Sequence, residues 1–295
     1  MSREMASRKL QVTKRCHWVP QAYLRDFAAN ESRAKIWRFS KMSGDPELKR
    51  IDKVTVRHHL YVPCDAATQE RDDSFEQKLS QLERWFGDPV WRKLNTDTLD
   101  LGWKQLRMLV SLMVSVMYLR TPLHYEHFRA THRKIVTNIE KFGQIPTSLE
   151  WLDQVGEIDP KSWPSYRDAS ENDLKRLWIA QMNDATKYAE TLMRMRWSML
   201  LADTQVFITS DNPVTIVHPS LSFRGLADPE TIILFPINPQ RILIMDHRHK
   251  EPANQYYALV GNGTAQNVLI WRNAMEYMFS HQDTDNVCRA MVADA

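Results

Sequence analysis

Apolar positions three and four residues apart mark the helices of this chain. Over residues 72–86 the stripe Phe75, Leu79, Leu82 and Phe86 predicts an amphipathic helix. Ser74 with Gln77 predicts a capping box at its start. Lys104–Leu119 is apolar almost all round and is expected to be the central core helix. It ends at Arg120-Thr121-Pro122, where Thr121 is expected to cap the next helix and Pro122 to open it. Ser170 and Asp173 cap a further helix expected to run to about residue 201, and residues 264–279 read as a last one. Near the N-terminus Pro20 opens a short helix carrying Tyr23, Leu24 and Phe27. Alternating or β-branched runs predict strands at Lys35–Ser40, 50–56, 206–209, 214–217, 231–235, Arg241–Asp246 and 256–260. Residues 143–169, with Pro146, Pro160 and Pro164, are expected to be loop-rich.

This order predicts an α+β fold. A mostly antiparallel or mixed sheet from the N- and C-terminal parts packs against a large helical middle section at about 72–201. Residues 1–13 are expected to be a disordered basic tail and 14–295 a single domain. The net charge of +3 is unevenly spread, because residues 1–50 hold twelve Lys/Arg against five Asp/Glu. Such a segment could meet nucleic acid or a nucleotide, or simply be a solvated basic face. The three cysteines, Cys16, Cys64 and Cys288, lie far apart and form no C-x-x-C, which points to reduced thiols in a cytoplasm. No stretch is apolar and long enough for a signal peptide or a membrane span, so no membrane partner is expected.

The chemistry concentrates at Ser210-Asp211-Asn212-Pro213, a polar turn at the end of a strand. Asp and Asn side chains bond nearby backbone amides, and the proline extends the residue before it. A plain Asx-type turn and a functional site both fit that pattern. Glu76 and Glu83 share one helix face, about 80–100° from the centre of the apolar stripe. There they could hold a metal, pair with arginines or be solvated. Arg120, at a helix–helix corner, suits a two-pronged grip on a carboxylate. His124 and His127 have a metal-compatible spacing without a third local ligand. The S-D-N element matches one motif of penicillin-recognising enzymes, but the K-T-G they also need is missing. There is no G-x-S-x-G, phosphate-binding loop or H-E-x-x-H.

His17-Trp18-Val19-Pro20-Gln21-Ala22-Tyr23-Leu24 resembles the H-Y-V-P-Q-x-Y-L opening of a bacterial family known only as a domain of unknown function. Residues 207–214, F-I-T-S-D-N-P-V, resemble its T-S-D-N-P signature. Glu76, Glu83, the Arg120-Thr121-Pro122 corner, the turn at 236–239 and Asn267 fit further marks of that family. The departures are Trp18 for the usual Tyr and Ile237-Asn238 for Leu-Ser. The resemblance spans residues 14–280 and implies a site more than a reaction. Most of its marks are polar, and they are expected to converge near Asp211.

Two functions follow as expectations. In the first, the protein is a metal-dependent hydrolase acting on a phosphodiester or nucleotide. Glu76, Glu83 and Asp211 would bind Mg²⁺ or Mn²⁺, and His17 would act as general acid or base. Arg120 would stabilise negative charge, while Gln21 and Asn212 orient water or substrate. In the second, the protein is a non-catalytic binding or interaction module, and the polar cluster is structural.

Overall fold

The computed structural model describes residues 14–29, 31–65, 68–145, 148–151, 154–157, 159–220, 225–283 and 285. The expected tail, 1–13, and Cys288 lie outside them. The chain opens with β1 (Arg15–His17), α1 (Gln21–Leu24), β2 (Lys35–Ser40), β3 (Pro46–Arg50) and β4 (Val56–His58). The helical middle follows as α2 (Ser74–Glu83), α3 (Pro89–Thr96), α4 (Lys104–Leu119) and α5 (Pro122–Phe142). A hairpin of β5 (Ser148–Trp151) and β6 (Gln154–Glu157) leads to α6 (Trp163–Arg167), α7 (Glu171–Met182) and α8 (Ala185–Arg194). The C-terminal part holds β7 (Arg196–Leu201), β8 (Thr209–Ser210), β9 (Thr215–Val217), β10 (Ile232–Asn238), β11 (Arg241–Asp246), β12 (Gln255–Ala258), α9 (Thr264–Asn273) and β13 (Tyr277–Ser280).

The fold is α+β. A mixed sheet runs β12-β7-β11-β10-β9, with only the β12–β7 pair parallel. A second, antiparallel sheet runs β3-β2-β13-β8 and so joins strands from both ends of the chain. A third pairing, β1 with β4, sets His17 opposite Val56. The central core packs α4 against α8 and the mixed sheet, through Val110, Met113, Val114, Leu192, Trp197, Ile233 and Phe235. Among the described residues no single helix is long and apolar enough to cross a membrane.

Several boundaries differ from expectation. The helix expected to reach 201 breaks at Asn183-Asp184 and ends at Arg194, and residues 196–201 are a strand within the mixed sheet. The last helix stops at Asn273, and residues 277–280 are β13. In both cases one extended residue, Met195 (φ −62°, ψ 154°) or Ala274 (φ −59°, ψ 148°), makes the switch without glycine or proline. The strand expected at 50–56 is divided into the end of β3, a 3-10 turn at Ile51–Lys53 and the start of β4. The expected capping box at Ser74 does not form. Asp73 is the N-cap residue, and its carboxylate accepts from the Gln77 side-chain amide at 2.9 Å.

Candidate functional site

The polar motif residues separate into two networks. The first is built around Arg120, which ends α4 and is almost completely buried. Its Nη1 meets Glu83 Oε1 at 2.9 Å, and its Nη2 donates to the backbone carbonyl of His17. The Tyr61 ring lies 5.6 Å away, and the Tyr61 hydroxyl donates to the carbonyl of Arg120 itself. Burial works against the guanidinium charge, and Glu83, Tyr61 and Glu76 together more than restore it. Glu76, one face-repeat earlier on α2, is buried beside Cys16, and its Oε2 has no hydrogen-bond partner. Burial pushes the Glu76 carboxyl up to about 7, with Arg120 pulling it down and Glu83 raising it further. The imidazole of His17 sits 3.2 Å from the Val54 carbonyl, and burial lowers its pKa.

The second network fixes the polar turn. Ser210 Oγ donates to the Asn212 carbonyl and accepts from its amide, which closes the turn on itself. Asp211 is sealed from solvent. Its Oδ1 accepts the Met275 amide at 2.8 Å, and its Oδ2 accepts those of Glu276 and Tyr277 at 2.8 and 3.0 Å. Burial raises its carboxyl to about 6, opposed by these three amides. Asn212 and Asn273 exchange side-chain amide bonds with each other's backbone carbonyls, at 3.0 and 2.9 Å. Asn267 from α9 bonds the amide of Ile208 and the carbonyl of Val206, replacing a missing strand partner. The Trp18 indole ties the two networks together by donating to the Asp211 carbonyl at 2.8 Å.

His17, Glu76, Glu83 and Arg120 are therefore brought together, whereas Asp211 and Asn212 serve a separate junction. The expected ligand trio of Glu76, Glu83 and Asp211 is not assembled, because Asp211 spends both oxygens on backbone amides and Glu83 faces Arg120. Among the described residues, the histidine, cysteine and carboxylate ligands that do cluster in metal range are His218, Asp228 and Glu230. Gln21 is the half-buried first residue of α1.

A cleft of about 280 Å³ opens between the start of α5 and the β9–α9 region. It brings together residues of both motif corners, Thr121 and Asn212. Thr121 caps the 21-residue helix α5 by accepting the His124 amide at 3.2 Å. The positive end of the helix dipole therefore faces this region. Tyr118, His124, His127, His218, Arg272 and Asn273 complete its polar lining, and no carboxylate is among the lining residues. Burial lowers His124 to about 4, so its ring is neutral at physiological pH. Leu123, Arg272 and Asn273 also border an adjoining depression that carries Lys41 and Arg57, together with Glu126 and Glu276.

The match to known proteins follows the two networks closely in extent. The model of the family described as "Protein of unknown function (DUF4238)" matches residues 15–284. This chain belongs to the DUF4238 family. No curated protein and no solved structure matches it. For a DUF4238 chain the motif residues could be found in the sequence, but their cleft could not. His218, Arg272 and Asn273 carry no local motif and meet Thr121 and His127 only after folding. A histidine at a strand end and an arginine in the last turn of a helix were the available signals, and neither is specific.

Proposed function

We propose that this DUF4238 protein is a binding module for phosphate-bearing ligands of the nucleotide class, held in the cleft between α5 and α9. The observation that carries it is a cleft with a helix N-terminus, Arg272 and His127 on its walls and no carboxylate among its lining. Arg272 is exposed and suits two-pronged contact with a phosphate, as Lys would not. The adjoining depression adds Arg57 and Lys41 beside Glu126 and Glu276, and with Arg272 its balance stays positive, which favours a ligand longer than a free phosphate.

In this proposal the Arg120 and Asp211 networks are scaffold. Hydrolysis through Mg²⁺ or Mn²⁺ on Glu76, Glu83 and Asp211 has less support. An ion there would have to displace three backbone amides from Asp211 and Arg120 from Glu83. Calorimetric titration with a nucleoside monophosphate, a short single-stranded oligonucleotide and inorganic phosphate tests the proposal. Binding is expected at low ionic strength and should weaken with salt. Arg272→Ala should weaken it about 10-fold or more, the value of one charge-assisted contact. Absence of binding, or equal affinity in Arg272→Ala, would overturn it.

A further inference from the structure

We infer a second site, for a borderline divalent cation of the Zn²⁺ type, formed by His218, Asp228 and Glu230. One potential ligand atom from each lies within 4.8 Å of the others. His218 Nε2 is 3.2 Å from Asp228 Oδ1 and 3.8 Å from Glu230 Oε2. Ligands around a tetrahedral zinc stand about 3.4 Å apart, given metal–ligand bonds of about 2.1 Å. The two distances from His218 already lie close to that spacing. The fourth position would take water, since Glu230 is largely exposed.

The backbone explains why these side chains meet. β9 and β10 pair antiparallel, with Val217 opposite Ile232. His218 is the residue after β9, and Asp228 and Glu230 immediately precede β10, so all three stand at one end of a strand pair. Asp228 Oδ1 accepts the Glu230 amide at 2.9 Å, and its backbone carbonyl accepts the Thr231 amide at 3.0 Å. Pro229 stiffens the turn between the two carboxylates. The site is thus held by a paired strand end, which is more rigid than a free loop.

Histidine chemistry fits as well. The Ser220 amide donates to His218 Nδ1 at 3.1 Å, which leaves the ring proton on Nε2, facing Asp228. On binding, the cation replaces that proton, which moves to Nδ1, and the Ser220 amide gives up its bond to that nitrogen. There Ser220 Oγ, at 2.6 Å, accepts the resulting N–H. A histidine ligand usually has its second nitrogen anchored in this way. Two carboxylates balance a divalent charge, and a mixed N/O set favours Zn²⁺ over Mg²⁺, which prefers six oxygens.

His218 also borders the cleft, but the cation site does not rest on the nucleotide proposal, and its test uses the metal alone. The full chain, treated with chelator and then titrated with ZnCl₂ without phosphate, should bind one Zn²⁺ by calorimetry and by elemental analysis after gel filtration. Mg²⁺ should bind at least 100-fold more weakly. Glu230→Gln and Asp228→Asn should each weaken Zn²⁺ at least 10-fold. Because Glu230 is exposed, its variant should keep the unfolding temperature of the metal-free protein. Co²⁺ in place of Zn²⁺ should give the visible absorption of a four- or five-coordinate ion, lost in Glu230→Gln. No Zn²⁺ binding, or binding unchanged in both variants, would overturn the site and leave the nucleotide proposal standing.

Discussion

Glu76 shows how far one residue can depart from its type. A carboxylic acid in water ionises near 4.5, but here burial takes it to about 7. Because the folded value is raised, its contribution to stability is full below about pH 4.5 and is lost as pH rises through about 7. Glu76→Gln cannot ionise and should escape that loss. In urea unfolding series from pH 4 to 8, the variant should gain on wild type with rising pH, reaching on the order of 2–3 kcal/mol at pH 8. A difference that stays flat across the series would show that Glu76 titrates normally. The position of Glu76 at the edge of an apolar stripe could be read from helical spacing. Its partner Cys16, sixty residues earlier, could not, because nothing in a linear pattern marks which strand will cover a helix.

At the scale of elements, the polar turn joins β8 to the segment leading into β13. Three consecutive amides of residues 275–277 converge on one carboxylate, which sets the direction in which the chain leaves α9. Lys41 supports the same corner by donating to the carbonyls of Arg272 and Ala274 at the end of that helix. Asp211→Ala should leave those amides unsatisfied and cost about 2–4 kcal/mol, against a smaller loss for Asp211→Asn, which keeps one acceptor. Chemical denaturation of both variants checks this order, and equal losses would contradict it. Elements with their own end signals were legible: Thr121-Pro122 opens α5 and Ser170 with Asp173 caps α7, as their sequence predicts. β7 and β13 were hidden because each follows a helix with no breaker, and the apolar spacing runs on across the junction. What decides them is pairing with β11 and β2, a tertiary effect that overrides local preference.

For the whole molecule, the α+β arrangement and the union of N- and C-terminal strands were legible from the order of segments. The expected convergence of the polar motifs near Asp211 does not occur. They form two networks bridged by the Trp18 indole, with the cleft beside the second. Polar residues in a motif indicate that a position is constrained, but a buried network constrains them as strongly as a reaction does. The antiparallel sheet makes the two ends of the chain one cooperative unit. Phe279 in β13 is buried and pairs with Arg38 of β2. Phe279→Ala should cost about 3–5 kcal/mol. Hydrogen exchange should show protection falling in β2 as well as in β13. Loss confined to β13 would mean that the two ends open separately.

The same sheet carries a consequence for synthesis. On a ribosome β2 emerges more than two hundred residues before β13, the strand it needs on its inner edge. At about 5–20 residues per second the wait is on the order of ten to forty seconds. Throughout it, Lys35–Ser40 and its hairpin partner present an open row of backbone donors and acceptors to anything nearby. The cationic side chains Lys35, Arg38, Lys49 and Arg50, together with the brevity of both strands, are the kind of features that discourage edge-to-edge pairing of such a strand.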